Sequence, residues 1–198
     1  MTRWTVATTL AAVVCLVAGV TSGAAVLATR SGHTTTGTAV PRPRLAPTVP
    51  APVDATRFLV DPCTALSPRA RTSIGLDSQE LEERDPGPGC SWAFTMDGDS
   101  WFGYWLLASN TGGLDDIYWA PRTGWAYFEP VEVLDHPAVL ASITDERHQG
   151  RCVLIVGLSN QLAMQVTVEL SPRLAQGDAC TLLTAGAGLF VGGMRGLF

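Results

Sequence analysis

The chain has 198 residues, of which 46% are apolar and 16% charged, and a formal net charge of −5. That length suits one domain with appendages, and the apolar share suffices for a core. The 13 basic residues are all arginine, form no cluster and are outnumbered by 18 acids, which excludes the counterion-displacing surface that nucleic-acid binding requires.

From Trp4 to Thr29 no residue is charged; Arg3 precedes the run and Arg30 follows it. As a helix it is long enough to cross about 30 Å of hydrocarbon. Residues 1–30 therefore read as an uncleaved signal-anchor (transmembrane) helix or as a cleaved signal peptide. Either way Arg3 stays inside and the remainder is exported. The expected location is the cell membrane with an extracytoplasmic domain, or outside the cell if the signal is cleaved. Cys15 follows Val14 rather than a small residue, and reads as a membrane-embedded apolar side chain. Residues 31–54, rich in Thr, Pro and Ala, carry few large apolar groups to offset ordering entropy. Their prolines favour extended structure. They read as a disordered linker, and the domain is expected to span residues 55–198.

In "DPCTALSPRARTSIG", Asp61-Pro62-Cys63 opens a short helical stretch that Gly75 ends. The run "SQELEERDPGPG", with Glu80, Glu82, Glu83 and Asp85, reads as a solvated acidic loop. "CSWAFTM" and "WFGYWLLAS" read as strands around the Asp97-Gly98-Asp99 turn. In the second of them Trp101 and Trp105 share one face, and Phe102 and Tyr104 the other. "NTGGLDDIYWAPRTGWAY" is a long glycine-bearing loop suited to a lid or rim, with Asp115 and Asp116 at a solvated helix start. "PAVLASIT" and "GRCVLIVG" flank the polar turn "DERHQ". "CVLIVGL" and "LAMQVTVEL" form a hairpin across "SNQ". The C-terminal stretch begins at Asp178, a good N-cap. Leu183, Ala187, Phe190, Met194 and Leu197 then recur on one helical side. Its glycines at 186, 188, 192, 193 and 196 each cost about 1 kcal/mol of helix propensity, and are expected to let the helix lie close on a sheet. The fold class is α+β: an antiparallel sheet of about four to six strands, packed by an N-terminal and a C-terminal helix.

Four cysteines follow the apolar run: Cys63, Cys90, Cys152 and Cys180. In the oxidising environment met after export they are expected to pair. Three pairings are possible. The expected one joins sequence neighbours, Cys63 with Cys90 and Cys152 with Cys180, and the chain-entropy model values each bridge at about 3–4 kcal/mol. Zinc is not expected, because the spacing is wide and no C-x-x-C occurs.

The aromatic residues crowd between Trp92 and Phe128. Core packing accounts for most of them. Because both faces of one strand are aromatic, one face is expected to stay open as a groove, with Trp101, Trp105, Trp119 and Trp125 as its ligand-binding candidates. No catalytic signature accompanies them. Ser159 in "GLSNQ" lacks the second glycine of a nucleophile elbow. His136 and His148 lie in separate polar stretches, and no calcium loop or phosphate-binding glycine pattern is present. No metal or cofactor is expected, nor enzymatic activity. The expected function is binding of an apolar small molecule or of another envelope protein. The alternatives are a structural subunit without ligand, or a hydrolase.

The order "DPCTAL", "GCSW", "CVLIVGLSNQLAMQVTV" and "DACTLLTAGAGLFV" resembles the actinobacterial secreted and lipoprotein family called domain of unknown function 3558, over roughly Asp61 to Val191. "DHPAV" (Asp135 to Val139) is similar to the family's Gly-aromatic-Pro-Ala element. The resemblance implies an envelope-exposed domain of helices on an antiparallel sheet, and no established reaction.

Overall fold

A computed structural model describes residues 42–84, 87–175 and 178–197, with the backbone alone at 78–84. The apolar run Trp4–Thr29 lies outside these residues. Among the described residues no helix is long and apolar enough to cross a membrane.

Seven strands form one antiparallel sheet: β1 (Leu76–Arg84), β2 (Gly87–Phe94), β3 (Trp101–Leu106), β4 (Tyr127–Val133), β5 (His136–Ser142), β6 (Arg151–Gly157) and β7 (Ala163–Glu169). The spatial order is β1-β2-β3-β7-β6-β5-β4. Two meanders, β1–β3 and β4–β7, are thus joined where β3 pairs with β7, Trp101 opposite Glu169 and Leu106 opposite Met164. The sheet exceeds the expected strand number because both edge strands are poor in apolar alternation. β1 is the glutamate-rich run expected to be a loop. β4 carries Glu129, Pro130 and Glu132, all exposed. Charges and a proline suit strands that must not recruit further partners along an open edge. The β4–β5 turn places Leu134 and Asp135 at φ 48° and 64°, a mirror-image turn that matches strand twist.

Among the described residues four α-helices accompany the sheet: α1 (Thr56–Val60), α2 (Pro68–Ser73), α3 (Leu114–Trp119) and α4 (Ala179–Met194). α4 covers one face. Asp178 caps it by accepting from the N–H groups of Cys180 and Thr181. Leu183, Ala187, Phe190 and Met194 are buried against the sheet, as their spacing implies, whereas Leu197 lies past the helix and is 56% exposed. Two glycines set how closely α4 approaches. A Cβ at Gly186 would stand 2.4 Å from Phe102 Cζ, and one at Gly193 only 2.1 Å from the Ala65 carbonyl oxygen. The core between α4 and the sheet contains Trp92, Phe102, Tyr104 and Phe190. The Phe190 ring lies 5.1 Å from Phe102, 4.8 Å from Tyr104 and 5.5 Å from Trp92.

Both disulfides join the expected partners, Cys63 with Cys90 and Cys152 with Cys180. The first holds the Pro62–Ala65 turn against β2, where the Tyr104 hydroxyl donates to the Pro62 carbonyl at 2.7 Å. Burial, reinforced by the charge of Asp61, holds the Tyr104 phenol protonated well above its ordinary range. The second bridge fixes the start of α4 to β6.

Residues 42–54, which composition assigns to the linker, lie against the domain. Ala46, Val49 and Val53 are buried. Asp115 accepts from the N–H groups of Leu45 at 2.6 Å and Ala46 at 2.8 Å, Asn160 Oδ1 from Val49 N–H, and the Leu158 carbonyl from Val53 N–H. Asp115, read as a solvated helix start, is thus 7% exposed and docks this segment. Burial opposes its ionisation, but the N–H groups of Ala46 and Leu45 and the charges of Arg44 and Arg42 outweigh it and hold the carboxyl below its usual range.

At the β2–β3 turn, Asp97 accepts from the Ser100 backbone N–H and hydroxyl and from the Ser171 hydroxyl, tying the turn to the end of β7. These bonds, Ser171 first and Ser100 second, lower its pKa from 3.8 to about 2. A carboxyl depressed in the folded state adds stability that is complete above the unfolded value and disappears as pH falls through the folded one. Unfolding by urea at stepped pH should therefore show stability falling from pH 4 toward 2. Asp97→Asn should be less stable than the wild type at pH 6 and show a shallower fall; an identical acid slope in the variant would refute the assignment.

Candidate functional site

Each face of the sheet carries an apolar-lined recess. Strand alternation directs Phe102, Tyr104 and Leu106 toward α4, and Trp101 and Trp105 to the second face. There Trp101 and Trp105 meet edge to face at 5.9 Å. Trp105 is only 1% exposed, since its ring lies over Gly89, where a Cβ would fall 2.4 Å from it. Trp105 is therefore packed into the sheet, while Trp101 keeps part of its surface open.

Trp125 reaches the same face from the turn ahead of β4. Its ring packs at 5.9 Å on Phe128, which also meets the Tyr118 ring edge to face at 5.1 Å and the Arg122 guanidinium 3.4 Å from its ring centroid. Trp125 and Ile117 of the long loop form a wall of a groove of about 360 Å³, floored by Val153 and Ile155 of β6 and Ala141 of β5. The loop expected to act as a lid or rim does supply that wall. Trp119 stands elsewhere, at the end of α3. It is 38% exposed, with the Arg42 guanidinium 4.6 Å from its ring centroid and Arg42 bonded to Asp116 at 2.9 Å. The four tryptophans do not line one groove. Trp101 and Trp105 form one pair, Trp125 borders the groove, and Trp119 caps the docked N-terminal segment.

The second recess was not among the sequence candidates. It is a cleft of about 280 Å³ beside α4, lined by Ile74, Phe94, Phe102, Leu182, Ala185, Gly186 and Leu189. Every lining residue is apolar. Phe94 and Phe102 form its sheet side, and Leu182, 42% exposed, stands at its mouth. Gly186 brings α4 close to Phe102, and the missing side chain leaves the cleft room. Leu182, Ala185 and Leu189 recur at helical spacing next to the core stripe. This second stripe was a readable signal, hidden because the first stripe alone suffices for packing.

Among the described residues, the two histidines and Ser159 lie apart from one another. His136 is fully buried at the start of β5, where its Nδ1–H donates to the Gly157 carbonyl at 2.7 Å. His148 is exposed beside Gln149. Ser159 turns its hydroxyl to the N–H groups of Gln161 and Leu162, as a turn residue does.

Comparison with known proteins finds a match to one sequence family. The chain belongs to the family described as protein of unknown function, DUF3558, whose model matches residues 16–192. No curated protein matches the sequence.

Proposed function

We propose that this member of the family is a non-catalytic binding domain, held outside the cytoplasmic membrane, that accommodates an apolar small molecule in the cleft beside α4. The observation that carries the reading is the cleft's uniform lining: seven apolar residues and no charged one. Ligand recesses are concave and mostly apolar, and burying apolar surface gives about 25 cal/mol per Å². A volume of about 280 Å³ suits one ring system or one short hydrocarbon chain rather than a large lipid. The two disulfides support a location in an oxidising compartment. The uncharged run Trp4–Thr29 supports delivery there and attachment to the membrane.

The test uses the full chain and the neutral fluorophore N-phenylnaphthylamine. The wild type should bind it. Leu182→Glu puts a charge at the mouth of the cleft at an already exposed position, so it should weaken binding at least tenfold, about 1.4 kcal/mol, with the unfolding midpoint little changed. No binding by the wild type, or equal binding by the variant, would remove the cleft as the site.

A further inference from the structure

The groove on the second face carries an observation independent of the α4 cleft. Two hydrogen-bond donors on its lining, Trp125 Nε1–H and Arg151 Nε–H, are buried and have no partner among the described residues. Leaving such a donor unsatisfied costs about 1–3 kcal/mol, so both side chains gain by turning toward an acceptor that enters the groove. Val153, Ile155 and Ala141 line the same groove as an apolar floor, with Asn110, Ser142 and Gln165 as its uncharged polar residues. The groove therefore combines an apolar bed with two N–H donors and needs an oxygen acceptor.

Charge decides which acceptor. Glu146 already accepts from Arg151 Nη1 at 3.1 Å. Glu169 is the cross-strand partner of Arg151. Both glutamates line the adjoining cleft together with Asp99 and Arg151. Three carboxylates against one guanidinium oppose an anionic head group. A neutral carbonyl-type oxygen accepts equally well without that repulsion. We infer that this groove is a second binding site, and that its ligand is a neutral molecule with an apolar body and a ketone, ester or amide oxygen taken up by Trp125 and Arg151.

The experiment follows the indole N–H resonance of Trp125 in the full chain, assigned by its contacts to Phe128. Three probes share one dimethylaminonaphthalene body: one carries a propionyl ketone, one a carboxylate and one no substituent. The ketone should move the Trp125 resonance and bind about tenfold more tightly than the unsubstituted hydrocarbon, the ratio expected for one hydrogen bond to a buried donor. The carboxylate should bind more weakly than the ketone. Trp125→Phe, which keeps the ring and removes the N–H, should erase the preference for the ketone. The inference is overturned if the ketone leaves the Trp125 resonance in place, which would mean that solvent serves both donors. It is equally overturned if the hydrocarbon binds as well as the ketone, or the carboxylate binds best. The probe series on the wild-type chain decides the matter even if the Phe variant does not fold.

Discussion

Phe190→Ala lowers the free energy of unfolding by about 3–5 kcal/mol, the range for truncating a buried aromatic side chain. Phe190 is fully buried on the inner side of α4. Its ring touches Trp92, Phe102 and Tyr104 together and is stacked at 15° on Phe102. Removing it forfeits transfer energy and leaves a cavity that these neighbours can hardly fill. They sit on rigid strands, and α4 is held at its far end by Gly193 against the Ala65 carbonyl. Denaturant unfolding followed by tryptophan fluorescence measures the loss, since Trp92 reports directly on this site. A cost below about 1 kcal/mol would mean that the helix, not the ring cluster, organises this side of the sheet.

Replacing Cys152 and Cys180 together by alanine should cost about 3–4 kcal/mol by the loop-entropy relation. The bridge spans a separation of 28 residues and joins the second residue of β6 to the second residue of α4. Without it α4 is tied to the sheet through its packed face and the segment after β7. The Asp178 cap remains to start the helix, so α4 should still form, but its docking becomes the weakest step in unfolding. The measurement compares urea midpoints of the non-reduced wild type and the double variant, with circular dichroism to confirm equal helix content. A difference within 0.5 kcal/mol would show that the packed face alone holds α4 in place.

The hairpins β2–β3, β5–β6 and β6–β7 were legible because alternation and turn chemistry agree there. Phe102, Tyr104 and Leu106 alternate with Trp101 and Trp105, and Gly98 at φ 69° supplies the turn. α4 was legible from its cap, its core stripe and its glycines. β1 was not, since Gln79, Glu80, Glu82 and Glu83 show no apolar period; its pairing with β2 supplies what its own sequence does not. β4 was hidden by Glu129, Pro130 and Glu132, residues an edge strand tolerates and a central one does not. The Leu134-Asp135 turn uses no glycine, so no local signal marks it. The docked segment 42–54 was missed because its three buried residues are scattered among prolines, and its hydrogen-bond acceptors, Asp115 and Asn160, come from far along the chain.

The aromatic strand faces were legible, whereas the position of the clefts was not. Aromatic crowding correctly indicated two aromatic strand faces. Which tryptophans remain available depends on neighbours that the sequence does not order: Gly89 lets the Trp105 ring settle flat, and Arg42 occupies the Trp119 ring. The apolar cleft is built by Leu182, Ala185 and Leu189 of α4 together with Phe94 and Phe102 of the sheet. No single segment of sequence contains it. It exists because α4 crosses the sheet at the spacing Gly186 permits.

The central claim is that this cleft holds an apolar molecule. Native mass spectrometry of the full chain, recovered non-reduced from the cells that produce it naturally, tests this most directly. One reproducible added mass is expected that organic solvent removes and that is absent from Leu182→Glu recovered in the same way. A bare mass for the wild type, or an adduct retained undiminished by the variant, would contradict the claim.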